Sequence, residues 1–130
     1  MGTVKRFEDF EVWKKSRVFA DKIYKLSNIG TFANDYSLKN QINASAGSIM
    51  DNIAEGFERG GTKEFIQFLY YSKGSCGEAR SQLYRARDRN YLTSENFDEL
   101  FNEAEEISKM LSGLTAYLQT SDIKGIKFTN

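Results

Sequence analysis

"SENFDELFNEAEEISKMLSGLTAYL", residues 94 to 118, carries the pattern that decides the fold. Phe97, Leu100, Ala104, Ile107, Leu111, Leu114 and Leu118 alternate steps of three and four over three heptads. That spacing lines up apolar side chains along one side of an α-helix, with Ser94 placed to cap its start. Such a stripe cannot bury itself, so it requires partners of similar length.

The rest of the chain supplies three. From about Asp9, a candidate N-cap, to Ser27, Val12, Trp13, Phe19, Ala20, Ile23 and Leu26 recur at helical spacing. "SNIGTFANDYS" (27 to 37) breaks the pattern. From about Ser37, Leu38, Ile42, Ala46, Ile49, Met50, Ile53 and Phe57 share a face until Gly60 and Gly61 end it. Thr62 is a candidate cap for a third helix, with Phe65, Phe68, Leu69, Ser72, Cys76, Ala79, Leu83 and Ala86 inward up to about Asn90. Short connections make successive helices antiparallel neighbours. The expectation is an all-α, up-down-up-down four-helix bundle over residues 1–120, with 121–130 a flexible C-terminal tail that lacks the stripe.

Composition agrees. The 130 residues contain no proline, which would interrupt helices, and suffice for one core without disulfides or metals. The lone Cys76 cannot form an internal bridge, and neither a signal segment nor an apolar run of about 20 residues is present. The expected location is a reducing cytoplasm, away from membranes. Formal charge is zero, yet residues 1–27 and 62–90 each carry net +3 and residues 91–120 carry net −5. The acidic fourth helix can therefore neutralise the basic segments within the fold.

Three places in the chain carry candidate chemistry. "SIMDNIAEGF" (48 to 57) sets carboxylates a turn apart beside an amide, but at 100° per residue Asp51 and Glu55 lie away from the core stripe, and the chain has no histidine. Metal binding and nucleophilic catalysis both lose their usual ligand or base, and Cys76 falls on a core stripe where a thiol is inert. The expectation is no enzyme, no cofactor, no metal and no small-molecule substrate. The basic run "RSQLYRARDR" (80 to 89) offers Arg85 and Arg89 on an outward face for phosphate contact, with Lys14, Lys15 and Arg17 on the first helix as further candidates. Arg80 and Arg87 sit nearer the apolar stripe, suited to interhelical ion pairs or packing of their stems.

The second helix carries a second seam beside its core stripe: Gln41, Ala44 or Ser45, Ser48, Asn52, Glu55 and Arg59. Its small residues admit a close backbone, and the third helix offers Ser72, Gly74, Ser75 and Gly77 in answer. Asn52 and Glu55 are expected to bond nearby backbone, Arg80 or Arg87, and the seam to specify what packs beside it.

"FEDFEVWKKS" (7 to 16), "QINASAGSIMDNIAEGFERG" (41 to 60), "EFIQFLYYSKGSCGEARSQLYRA" (64 to 86) and "YL" (91 to 92) resemble, in order and spacing, the four-helix-bundle proteins found in intervening sequences of 23S ribosomal RNA genes. The resemblance spans about residues 7 to 118. It implies an antiparallel bundle assembled as a homopentamer. It also implies kinship with the accessory variability determinant of diversity-generating retroelements, which binds reverse transcriptase and nucleic acid through a basic surface. Asn52, Ala54, Glu55, Gly56, Gly74, Ser75 and Glu78 match the family's signature, none of them in a catalytic role. Two features depart from its pattern: Gln41 is followed by "INAS" rather than a basic pair, and this chain is neutral. The resulting expectation is a non-enzymatic, self-assembling scaffold or adaptor, with nucleic-acid binding (RNA, DNA or a reverse-transcription complex) as the alternative.

Overall fold

A computed structural model describes residues 4–123. Among the described residues there are four α-helices: α1 (Glu11–Ser27), α2 (Tyr36–Glu58), α3 (Thr62–Asp88) and α4 (Ser94–Ile123). Short 3-10 turns at Phe7–Asp9 and Gly30–Asn34 precede α1 and α2. Helix α4 thus runs three residues past Thr120; the remainder of the expected tail lies outside the described residues.

The helix ends show which local groups set the boundaries. Asp9 does not cap α1: it belongs to the preceding 3-10 turn, and Phe10 occupies the cap position with no side-chain bond. Packing fixes that entry instead, because Phe10 is buried with its ring 5.5 Å from those of Phe57 and Phe65. Asp35 caps α2, its Oδ1 accepting from the Leu38 amide at 3.1 Å. Gly60 ends α2 at φ 83°, a left-handed conformation that glycine adopts without strain, and extended Gly61, rather than Thr62, precedes α3. Asn90 takes the same role after α3 at φ 62°, with the Tyr91 amide donating back to the Ala86 carbonyl at 2.9 Å. Thr93, one residue before the expected Ser94, caps α4 by accepting from the Asn96 amide at 3.0 Å.

Cross-helix pairs give the directions. Gly56 lies by Phe65 and Phe68, Ser72 bonds Ile49, and Arg85 bonds Gln41, so α2 and α3 run oppositely. Cys76 with Ala104 and Tyr84 with Phe97 reverse α4 against α3. Lys15 with Glu106 and Lys22 with Glu99 do the same for α1 and α4, as Phe10 with Phe57 and Ser27 with Asn43 do for α1 and α2. The extensive contacts are α1–α2, α2–α3, α3–α4 and α4–α1, which makes α1 and α3 a diagonal pair.

Phe19, Ile42, Ile49, Ile53, Leu69, Leu83, Ile107 and Leu111 are fully or almost fully buried between these helices. Trp13, Ala20, Leu26, Met50, Phe68 and Leu114, placed inward by the pattern, are instead half-buried at the rim. Ser16 and Thr115 are buried without sacrificing hydrogen bonds, because each hydroxyl donates to the carbonyl four residues earlier in its own helix. No helix among the described residues is long and apolar enough to cross a membrane.

Candidate functional site

The seam on α2 begins at Gln41, whose exposed side chain donates to Ser37 Oγ and accepts from Arg85 Nη1 at 2.8 Å. Ser48 and Asn52 are half-buried, and Asn52 Nδ2 donates to the Ser48 carbonyl at 2.8 Å. Glu55 is exposed and pairs with Arg59 one turn on at 2.9 Å. The bonds expected from Asn52 or Glu55 to Arg80 or Arg87 do not form, because those arginines occupy the other flank of α3. The Arg80 guanidinium lies 5.3 Å from the Phe101 ring and 3.9 Å from Glu105, and that of Arg87 lies 4.4 Å from the Phe97 ring. Their role in packing against a neighbouring helix is the one their position near the stripe suggested.

Small residues do two different things here. Gly56 is buried, and a Cβ on it would collide with the Cβ of Phe68 and come within 3.2 Å of the Phe65 ring, so glycine is what lets α3 approach. Gly74 and Gly77 do not pack within the chain: both are exposed, and a Cβ on either would meet nothing within 4 Å. Ser75 is half-buried and Glu78 exposed beside them. Between the helices, Gln41, Ala44, Ser45, Ser48, Glu78 and Gln82 line a groove of about 310 Å³. Gln82 is absent from the sequence reading, although it follows Glu78 by one turn and Ser75 by two, a spacing that would have placed it on this face.

A family model for the 23S rRNA-intervening sequence protein matches residues 8–113, which takes in the whole of α1, α2 and α3 and most of α4. The chain belongs to that family. A crystal structure of a protein of unknown function from the S23 ribosomal protein family of Bacteroides thetaiotaomicron VPI-5482 is similar in fold, with a TM-score of 0.73. The two are 27% identical, over 80% of this chain and 97% of that one. No curated protein matches the sequence.

In this member of the family the basic candidates do not form one patch. Arg85 is held by Gln41, and Arg89 Nη1 donates to Asp35 Oδ2 at 2.8 Å. Tyr91 OH donates to the same Asp35 oxygen at 2.9 Å, and its ring stacks on Phe32 at 5.0 Å. Three donors hold the Asp35 carboxyl below the ordinary aspartate range, the Leu38 amide first, then Tyr91 and Arg89. Tyr91 is raised in return by its bond to the Asp35 carboxylate. On the diagonally placed α1, Lys15 pairs with Glu106 at 2.9 Å, Lys14 with Glu11 at 3.2 Å, and the Arg17 guanidinium lies 5.8 Å from the Trp13 ring. Lys22 is raised by Glu103, which it contacts most closely, and by Glu99 at 2.6 Å. The acidic α4 does neutralise part of the basic α1, as the segmental charges suggested.

Cys76 is fully buried, its thiol donating to the Ala104 carbonyl at 3.0 Å. Burial pushes that thiol up to about 11, the opposite of the lowered value a nucleophilic cysteine needs.

Proposed function

We propose that this chain is a non-enzymatic cytoplasmic protein that assembles with copies of itself, as a homopentamer, and acts as a scaffold or adaptor. The observation that carries the reading is Gly74. Glycine inside a helix is about 1 kcal/mol less favourable than alanine, and no neighbour within 4 Å of the missing Cβ accounts for it in the single chain. A second backbone laid against this outer face of α2 and α3 would account for it. Half-buried Ser48, Asn52 and Ser75 extend the same low surface, and membership in the family adds its support.

Light scattering on the purified protein tests the reading. The expected mass is five times the 14.9 kDa of one chain, with Gly74→Leu shifting it downward. A monomer mass at micromolar concentration overturns it, since a stable interface buries on the order of 1,000 Å² or more and should persist at that dilution.

A second reading, an accessory protein for RNA, DNA or a reverse-transcription complex, is favoured by α1. Lys14, Arg17, Lys22 and Lys25, with Asp21 paired to Lys25 at 2.9 Å, line an open depression of about 780 Å³ along α1, where a phosphate backbone could run. Binding that falls steeply with salt supports it, and absence of binding at low salt removes it.

A further inference from the structure

A ring of five limits what can cover the outer face of α2 and α3. A contact between identical patches is two-fold and closes pairs, so an odd ring needs one face of each copy against a different face of the next. The groove at Gln41, Ala44, Ser48 and Glu78 is built from α2 and α3 themselves. The outer faces of α1 and α4 remain to cover it.

Charge decides between them. Glu78 is exposed at the groove, and Asp51 is exposed on α2; neither makes an ion pair among the described residues. The cations nearby are committed, Arg85 to the Gln41 amide oxygen and Arg59 to Glu55. Residues 91–120, which carry α4, are net −5, with Glu95 and Asp98 exposed, and would set acid against acid. Residues 1–27, which carry α1, are net +3. Within α1, the charged side chains other than Arg17 all make ion pairs, whereas Arg17 makes none among the described residues. It is exposed, its guanidinium 5.8 Å from the Trp13 ring.

Shape agrees with charge. Lys14, Val18, Asp21 and Lys25 are exposed at steps of four, three and four, which makes an outward ridge with Arg17 beside it. Val18, 53% exposed, is the one aliphatic side chain among the exposed large hydrophobics of α1, α2 and α3. Such a ridge packs into the furrow between two helices, and Ala44, Ser48 and Ser75 bring only short side chains to that furrow. At 1.5 Å per residue the 17 residues of α1 span about 25 Å, within the length of the 23-residue α2. Because α1 and α3 are the diagonal pair, ridge and groove lie on different sides of one copy, as a head-to-tail contact requires.

We infer that α1 of a second copy lies in the α2–α3 groove, with its Arg17 paired to Glu78 and its Val18 seated among the short side chains of α2 and α3. The inference rests on the self-assembly proposed above and adds which faces meet.

Light scattering over a dilution series of the full chain tests the pairing, with circular dichroism to check that each variant is folded. Glu78→Arg and Arg17→Glu each set like charges together at every contact of the ring. Each is expected to raise, tenfold or more, the concentration at which half of the assembly is lost. The double variant in one chain reverses both ends of the pair and should recover most of that loss. An assembling wild type whose mass is indifferent to both single variants, or a double variant no better than the worse single one, overturns the pairing and leaves self-assembly standing. A monomeric wild type overturns self-assembly, and the pairing with it.

Discussion

Gly56 on α2 lies against Phe68 on α3 so closely that a Cβ on the glycine would overlap the Cβ of the phenylalanine. The obstructing atom is fixed to the α3 backbone, so it cannot swing aside as the end of a flexible side chain would. Gly56→Ala is therefore expected to destabilise the fold by roughly 1–3 kcal/mol, the usual range for overpacking. Gly74→Ala meets nothing within 4 Å and should stabilise the single chain by about 0.5–1 kcal/mol through helix propensity. Urea unfolding of the two variants at low protein concentration should give opposite signs; the same sign would overturn the distinction between these glycines.

Ser72 ties the same two helices together further along. Its hydroxyl donates to the Ile49 carbonyl at 2.7 Å, and both residues are fully buried. In Ser72→Ala the acceptor keeps its intrahelical geometry, so the expected loss is about 1 kcal/mol, that of one net hydrogen bond. Ser72→Val adds a branch in a packed interior and should lose more. Thermal unfolding that ranks Val as more stable than Ala would show spare room at this contact.

The heptads of α4 and the stripes of α2 and α3 were legible because apolar spacing reports burial directly, and Gly60 was legible as a stop because its left-handed backbone suits glycine. Caps were less so. Thr93 and Ser94, or Asp9 and Phe10, are neighbours in sequence, and which one caps depends on how the chain enters the helix, set at α1 by packing of Phe10. The candidate site was legible as a face but not in its pairings. Gln41 and Arg85 are 44 residues apart, and Asp35 and Arg89 are 54 apart. Only the antiparallel register of α2 and α3 brings them together, which turns outward arginines into cross-helix donors.

That register makes Asp35 a joint between three segments, and its protonation should be felt in stability. Its carboxyl is held below the ordinary value because the charged form accepts from the Leu38 amide, Tyr91 and Arg89. A lowered folded value means that the unfolded chain takes up the proton first as pH falls. The stabilisation is therefore fully present above the unfolded aspartate value of about 3.9, and it is lost as pH drops through that value and then through the folded one. Unfolding midpoints of wild type should fall more steeply than those of Asp35→Asn across this acid window, with the variant already less stable at neutral pH. Parallel curves would detach the carboxylate from the fold's stability.

Cys76 offers a probe of the core that does not perturb it. The thiol is fully buried and raised to about 11, and only the thiolate reacts with disulfide reagents. At pH 8 an ordinary thiol of pKa about 8.5 is roughly a quarter ionised, whereas one near 11 is ionised on the order of one part in a thousand. Ionisation alone thus slows labelling by more than a hundredfold, and exclusion of the reagent slows it further. Labelling of the native protein by an aromatic disulfide should then require transient opening of α3 from α4, where the thiol meets the Ala104 carbonyl. Its rate should rise with urea in step with unfolding and reach the free-thiol value in the unfolded chain. A native protein labelled as fast as an unfolded one would place Cys76 at the surface and overturn the inward stripe of α3.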